Sequence, residues 1–435
     1  MTFMGGIMVN FDNDVLKQLV KESNNKDLFC GVKRELTADI IRMIDREEIV
    51  ALSGIRRSGK TVVFNQLIEF INKRENCLII NFEDERLINF SVKDFDSLLE
   101  AFFIENAPQG RVFLFFDEVQ EVENWEKWVR RLYDAKKNVK IFLTGSSSSL
   151  LSSEFSTLLT GRNISFTLYP FSFPEYLNFR GVTISRLDVL DTDIKKRAEL
   201  KSVLNEYISN GGFPAVSGDF SIEILQQYFK DIIYRDIIRR YRIRDVKQLE
   251  ELYVYMLTNN SNLYTYNNLK NIFKMGIDTV KDYINYGISA CLIYDHLFFS
   301  YSLKESYNKP RKTYCIDNGL RNSVSFKFSE DLGRLVENQV YIELKRHYDT
   351  FYYYKDKNEV DFVIKDKDQQ LIAINVCYSN EIPEREKSGL LEFKKVYAGQ
   401  VKDLIIITED ISRVADNISL IPYWRWLLKQ KAPSK

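Results

Sequence analysis

The sequence predicts an α/β protein whose first part is built on a central parallel sheet. Three observations carry that expectation. Residues 54–61 read Gly-Ile-Arg-Arg-Ser-Gly-Lys-Thr, a complete G-x-x-x-x-G-K-T phosphate-binding loop. The apolar runs at 49–52 and 112–116 have the uninterrupted character of strands buried on both faces. Phe64, Leu67, Ile68 and Ile71 recur at helical spacing directly after the loop. Strand, glycine-rich loop and helix follow in the order that such a motif requires.

Each fixed position of the loop has a physical reason. Gly54 and Gly59 allow the tight backbone path that turns N–H groups onto phosphate oxygens. Gly54, Ile55, Arg56, Arg57, Ser58, Gly59, Lys60, Thr61 and Val62 are therefore the expected nucleotide-binding residues. Lys60 reaches the β- and γ-phosphates, and Thr61 offers its hydroxyl to Mg²⁺. The helix N-terminus adds its own attraction for anions. ATP and Mg²⁺ are the expected ligands; the alternative is a glycine-rich turn that binds nothing.

The second strand, at 111–118, ends in Asp117-Glu118. Asp117 is the expected partner of the Mg²⁺ that Thr61 touches, and Glu118 the residue that orients or deprotonates the attacking water. The alternative is a strand ending in solvated acids. Lys140-Ile141-Phe142-Leu143 reads as a further strand, leading into Thr144-Gly145-Ser146 and more serines. Thr144 or Ser146 could contact the γ-phosphate or the water; equally, this loop could cap a helix beginning near Ser149-Leu150. A strand-like segment at 77–82 lies between the two motif strands in sequence, which fits the additional-strand class of P-loop ATPases. No N-K-x-D guanine motif and no L-S-G-G-Q stretch is present.

Composition sets the bounds. At 435 residues the chain is too long for one ordinary core. Lys plus Arg and Asp plus Glu number 61 each, so net charge neither favours nor excludes nucleic acid. No apolar stretch approaches about 18 residues, so no membrane span is expected. The five cysteines are scattered without a C-x-x-C pair, which fits a reducing cytoplasm better than a disulfide scaffold or zinc site. The two histidines, His296 and His347, leave little room for histidine-based metal or triad chemistry. The first residues, MTFMGGIMVNFDNDV, lack the pattern of a signal peptide.

These motifs, together with Leu-Leu-Thr-Gly-Arg at 158–162 and Phe171-Ser172-Phe173-Pro174-Glu175-Tyr176-Leu177, resemble archaeal and bacterial AAA+ ATPases of the STAND-related branch. The resemblance implies an ATPase core over 1–185, a helical lid over 186–246 and a winged helix over 247–325. It implies also a C-terminal domain over 326–435 with an α/β restriction-endonuclease-like fold. Arg162 is implied as an arginine finger, in cis or from a neighbouring subunit; the alternative is a surface ion pair.

The lid region is interrupted by Asn210-Gly211-Gly212-Phe213-Pro214, a turn typical of that family, and followed by Arg235, Arg239, Arg240, Arg242 and Arg244. These arginines could sense nucleotide, bind DNA phosphates or pair with Asp231 and Asp236. Helices are expected over 247–258, 265–274 and 277–289, then strands around a wing carrying Lys304, Lys309, Arg311 and Lys312 among Tyr301 and Tyr307. Basic residues interleaved with aromatics suit a phosphate backbone. The expected recognition helix carries Asp278, Lys281 and Asp282, which argues against base reading. DNA contact through the wing and a protein-contact or structural role stay open.

The last domain resembles a PD-(D/E)XK nuclease core. Glu337 and Asp361 match the first two positions, but Asn375 stands where an acid belongs and Cys377 where the lysine belongs. A neutral amide binds Mg²⁺ poorly and a thiol supplies no fixed positive charge. An inactive nuclease fold is expected. Taken together, the sequence predicts a cytoplasmic Mg²⁺-dependent ATPase that switches conformation, with DNA, a protein or further copies of itself as partners. An adaptor that keeps ATP as a structural ligand and an ATP-gated nuclease are the alternatives.

Overall fold

The apolar run after Glu48 becomes β1 (Ile49–Ser53), buried along its whole length. It is joined by β2 (Cys77–Asn81), β3 (Val112–Asp117), β4 (Val139–Gly145) and β5 (Asn163–Thr167) in the order β2-β3-β4-β1-β5, all parallel. β4 thus lies between the phosphate-loop strand and the acidic strand, the additional-strand arrangement. Among the described residues five helices belong to the same unit: α1 (Asn13–Asn25), α2 (Glu35–Ile41), α3 (Lys60–Ile71), α4 (Phe95–Asn106) and α5 (Trp125–Asp134). Leu114 and Phe116 of β3 point into one core with α1, α4 and α5, while Phe113 and Phe115 point into another with α2 and α3. Covering both faces is what makes β3 apolar from Val112 to Phe116. Trp128 of α5 stacks on Phe95 of α4 at 4.6 Å, and Phe115 on Phe142 at the same distance.

The computed structural model describes residues 11–25, 27–135, 138–146, 159, 161–184, 193–325 and 332–429. The helix expected near Ser149-Leu150, residues 186–192 of the expected lid and the first ten residues lie outside these. The chain divides into two compact units, 1–168 and 169–435. This division falls before the expected 185/186 boundary, because Phe173 and Tyr176 pack on Tyr207 within the second unit.

The second unit continues through helices Ile194–Asn210 and Ile222–Asp231, a π-helical stretch Ile232–Ile238, and helix Val246–Thr258. Next come β6 (Leu263–Tyr264), helices Tyr266–Phe273 and Ile277–Ser289, β7 (Ile293–His296), the short helix Leu303–Asn308 and β8 (Arg311–Cys315). β6, β8 and β7 form an antiparallel sheet in that order. Helix Leu332–His347 then leads into β9 (Phe351–Lys355), β10 (Glu359–Lys365), β11 (Leu371–Cys377), β12 (Val401–Thr408), β13 (Arg413–Ala415) and β14 (Ile418–Pro422). Their order is β13-β14-β12-β11-β10-β9. The segment after β7 does not project as a free wing. The Phe299 amide donates to the Tyr353 carbonyl at 2.6 Å, and the Tyr353 amide to Leu297 at 3.0 Å. Phe298 and Phe299 join the core of the β9–β14 sheet.

Candidate active site

The site is built where β1, β3 and β4 end. Left-handed backbone at Arg57 (φ 69°) and Gly59 (φ 98°) shapes the loop between β1 and α3. Gly54 is required by close approach: a Cβ there would meet the Leu168 carbonyl oxygen at 2.2 Å. Lys60 opens α3 and curls back, its Nζ donating to the Gly54 carbonyl at 3.0 Å. Ser58 and Ile55 are buried, while Arg57 and Thr61 face solvent and Val62 is intermediate. Arg56 pairs with Glu83 at 2.9 Å.

Thr61 Oγ1 donates to Asp117 Oδ2 at 2.7 Å, so the hydroxyl and the carboxylate expected to share Mg²⁺ are side by side. Thr144, at the end of β4, donates to Asp117 Oδ1 and accepts from the Glu118 amide at 3.0 Å. Glu118 (φ 51°) turns out of the strand direction. Its carboxylate lies 3.5 Å from Lys60 Nζ and accepts from the Ser146 amide at 2.9 Å and Gln120 Nε2 at 2.6 Å. Burial pushes the Glu118 carboxyl up, but Lys60, Gln120, Arg56 and the Ser146 amide outweigh it, so the net shift is downward and the carboxylate form is favoured. Asp117 goes the other way: burial, then the neighbouring Glu118 charge, raises it against the bonds from Thr144 and Thr61.

The residues fit a nucleotide–metal complex. Two protein oxygens, from Thr61 and Asp117, beside a phosphate cradle are what Mg²⁺ takes when substrate phosphates and water supply the rest. A cleft of about 480 Å³ lined by Thr61, Asp117, Asn81 and Arg86 opens beside them.

Two supports were not legible as functional residues. Arg34, 2% exposed, donates from Nη1 to the Ser58 carbonyl at 2.7 Å and so braces the phosphate loop from behind. Gln66 of α3 holds the strap before α2, donating to Cys30 and Val32 carbonyls at 2.6 and 2.7 Å. No motif marks either residue.

Arg162 is placed differently from the cis expectation. It precedes β5 at the end where β1 begins; its carbonyl accepts from the Ile49 amide at 2.8 Å and its Nε lies 2.9 Å from Asp134. The phosphate loop leaves the other end of β1, about 15 Å away at the usual strand rise. Arg162 therefore does not reach the phosphates of its own loop.

The basic wing is also corrected. Lys304 is exposed, but Lys309 Nζ lies 3.9 Å from Glu305 and 5.1 Å above the Phe298 ring. Arg311 pairs with Asp295 at 2.5 Å and covers Tyr266. Lys312 is 2% exposed and pairs with Glu337, Glu359 and Asp361. Partly buried carboxylates take the charges of Arg311 and Lys312, while Lys304 and Lys309 stay exposed. By contrast Arg235, Arg239, Arg240, Arg242 and Arg244 are all exposed, in and after the π-helical stretch.

In the β9–β14 sheet Glu337 and Asp361 do converge. Asn375, buried, accepts from the Asp361 amide at 3.0 Å and donates to the Glu386 carboxylate at 3.0 Å. Burial pushes the Cys377 thiol up to about 11. The five cysteines are free, and no helix among the described residues is long and apolar enough to cross a membrane.

A family described as AAA domain matches residues 46–177, and two domains of unknown function, DUF8612 and DUF4143, match 201–331 and 332–426. An uncharacterized protein of Methanocaldococcus jannaschii is 35% identical over 90% of this chain and 91% of its own length. One from Haemophilus influenzae is 30% identical over 90% of this chain and 96% of its own. The solved structure of the Aeropyrum pernix Orc1 protein in complex with DNA is 12% identical, covers 71% of this chain and 95% of that one, and has a TM-score of 0.30. With its phosphate loop, its paired acids and relatives aligned over nearly their whole length, the chain belongs to a family of archaeal and bacterial AAA-domain P-loop proteins.

Proposed function

We propose that this chain binds ATP with Mg²⁺ and hydrolyses it, using turnover as a conformational switch. One observation carries the reading: Lys60, Thr61, Asp117, Glu118 and Thr144 converge in one hydrogen-bonded cluster at the mouth of the phosphate loop. Thr61 and Asp117 would hold Mg²⁺, which when bound neutralises charge on the β- and γ-phosphate oxygens. Backbone N–H groups of residues 55–61 and the start of α3 receive the phosphates. Lys60 exchanges its loop carbonyl for phosphate oxygen. Glu118, kept ionised by its surroundings, orients the attacking water and accepts its proton. Thr144 holds both acids in place.

Glu118→Gln should lower the turnover number by about 10²- to 10⁴-fold while ATP binding is retained. Turnover equal to wild type would remove Glu118 from the mechanism and favour the adaptor reading.

Arg162, ion-paired far from its own loop, acts in trans if it acts at all, so a homo-oligomer is part of the proposal. The order helix, β6, two helices, β7 and β8 supports a winged helix. Its second helix, Ile277–Ser289, presents Asp278 paired with Lys281 at 3.4 Å, which suits protein contact better than base reading. For any polyanion, the exposed arginines at 235–244 replace the wing as the contact face. The neutral Asn375 and the high-pKa Cys377 argue against a nuclease.

A further inference from the structure

Lys312 does something no motif assigns. β8 alternates, so Lys312 and Tyr314 leave it on the same face and both meet Glu337. The Lys312 ammonium has three N–H donors. Three carboxylates surround it: Glu337 Oε1 at 2.9 Å, Glu359 Oε1 at 2.5 Å and Asp361 Oδ1 at 3.0 Å. The remaining oxygens are engaged too. Glu359 Oε2 takes Lys355 at 3.0 Å, Asp361 Oδ2 takes the Val376 amide at 2.9 Å, and Glu337 Oε1 takes the Tyr314 hydroxyl at 2.6 Å as well. Of the six oxygens of these three acids, only Glu337 Oε2 has no partner among the described residues.

These acids floor a cleft of about 500 Å³ that also touches Arg334 and Glu386. Lys312 also lines a neighbouring cleft of about 400 Å³ that shares Lys355 and Glu359 with the first. Carboxylates converging in this way are the usual makings of a divalent-cation site, since such ions need several oxygens at once. Here no group of three or more His, Cys, Asp or Glu among the described residues is arranged to hold a metal ion. The ammonium stands at the centre instead.

We propose that Lys312 is a built-in cation: its ammonium takes the position that a divalent metal would occupy between Glu337, Glu359 and Asp361, and so keeps this cleft metal-free. The arrangement comes close to charge balance. With Asn375 neutral, Lys312 from within and Lys355 from the rim match two of the three carboxylates, and burial raises the third, Glu337, toward its neutral form. Burial acting alone would pull the Lys312 ammonium down, but the surrounding carboxylates, Glu337 first, hold it well above the ordinary lysine value, so it stays charged. The lysine absent at 377 is thus replaced by one from β8. It lies close enough to bond all three acids at once.

The test uses the full chain without nucleotide and follows Mn²⁺ binding by electron paramagnetic resonance. Wild type and Asp361→Asn should bind Mn²⁺ alike, since the cluster contributes no site. Lys312→Met should gain one Mn²⁺ site at least 10-fold tighter than any in wild type, and Lys312→Met with Asp361→Asn should lose it. Comparison in pairs cancels any contribution from the phosphate loop. Mn²⁺ binding by wild type that Asp361→Asn abolishes, or Mn²⁺-dependent nicking of plasmid by wild type, would overturn the proposal. So would a folded Lys312→Met that gains no site. Should Lys312→Met fail to fold, Lys312→Met with Glu337→Gln and Asp361→Asn, which removes the stranded charges as well, should recover a cooperative melt. A triple variant that folds no better than the single one contradicts the charge-balance argument.

Discussion

Thr144 has the widest reach of the single residues in the nucleotide site. Its hydroxyl donates to Asp117 and accepts from the Glu118 amide, so one side chain fixes both acids. A residue that acts through others should not add to their loss. Thr144→Val is expected to lower turnover by about 10²-fold, as removal of a preorganised donor does elsewhere. In a Glu118→Gln background it should cost less than about 3-fold more. A full multiplicative loss in the double variant would show that Thr144 contacts substrate independently. At this scale the sequence was readable wherever chemistry is set by contiguous residues, as in 54–61 and 117–118. Arg34 was not readable, because nothing near it in sequence points to Ser58. Lys312 was misread as surface charge because it follows Arg311 in a basic run; the alternation with Tyr314 was the signal that it faces inward.

Among the elements, the turn at 210–214 shows why small residues are needed. A Cβ on Gly211 would meet the Asp317 carboxylate at 2.1 Å, and one on Gly319 would meet the Asn210 carbonyl at 2.0 Å. Asp317 caps the helix Asn318–Val324 and accepts from the Gly212 amide at 2.7 Å and the Leu320 amide at 3.0 Å. Burial nevertheless raises its carboxyl from 3.8 to about 6. The folded state therefore keeps the proton after the unfolded chain has released it. Stability should fall as pH rises from about 4 to 6, by up to about 3 kcal/mol, and be insensitive to this group above that window. Denaturant melts across pH 4–7 should show the slope reduced in Asp317→Asn relative to wild type. An unchanged slope would mean that the backbone donors offset burial. The family turn Gly-Gly-Phe-Pro was legible in sequence; its partner Asp317 was not, being distant in the chain. The helices expected over 247–258, 265–274 and 277–289 are present as Val246–Thr258, Tyr266–Phe273 and Ile277–Ser289, whereas β6, with two residues, carries too little pattern to be seen.

On the scale of the whole molecule, the parallel sheet of the additional-strand class was legible from the two motif strands and the segment between them in sequence, while the order β2-β3-β4-β1-β5 is set by the structure. The segment expected to be a wing shows what pattern reading lacks. Its lysines and tyrosines suit a phosphate backbone, but Phe298, Phe299 and Lys312 find partners in the β9–β14 sheet, so burial decides their role. Two assembly properties follow. Turnover per subunit should rise with protein concentration and lose that dependence in Arg162→Ala, if neighbouring copies complete the site; a flat profile in wild type would exclude a trans arginine. Duplex DNA, if bound through the arginine face, should bind with an affinity that falls steeply with salt, and Arg239→Ala with Arg240→Ala should flatten that slope by about 2 in log–log terms. Binding that ignores salt would exclude the face as a phosphate contact.

Calorimetric titration of the full chain with a non-hydrolysable ATP analogue and Mg²⁺ tests the central claim most directly. A saturable exothermic isotherm near one site per chain, lost when Lys60 is changed to alanine, is the predicted result. No heat from wild type, or the same isotherm from Lys60→Ala, would contradict the account.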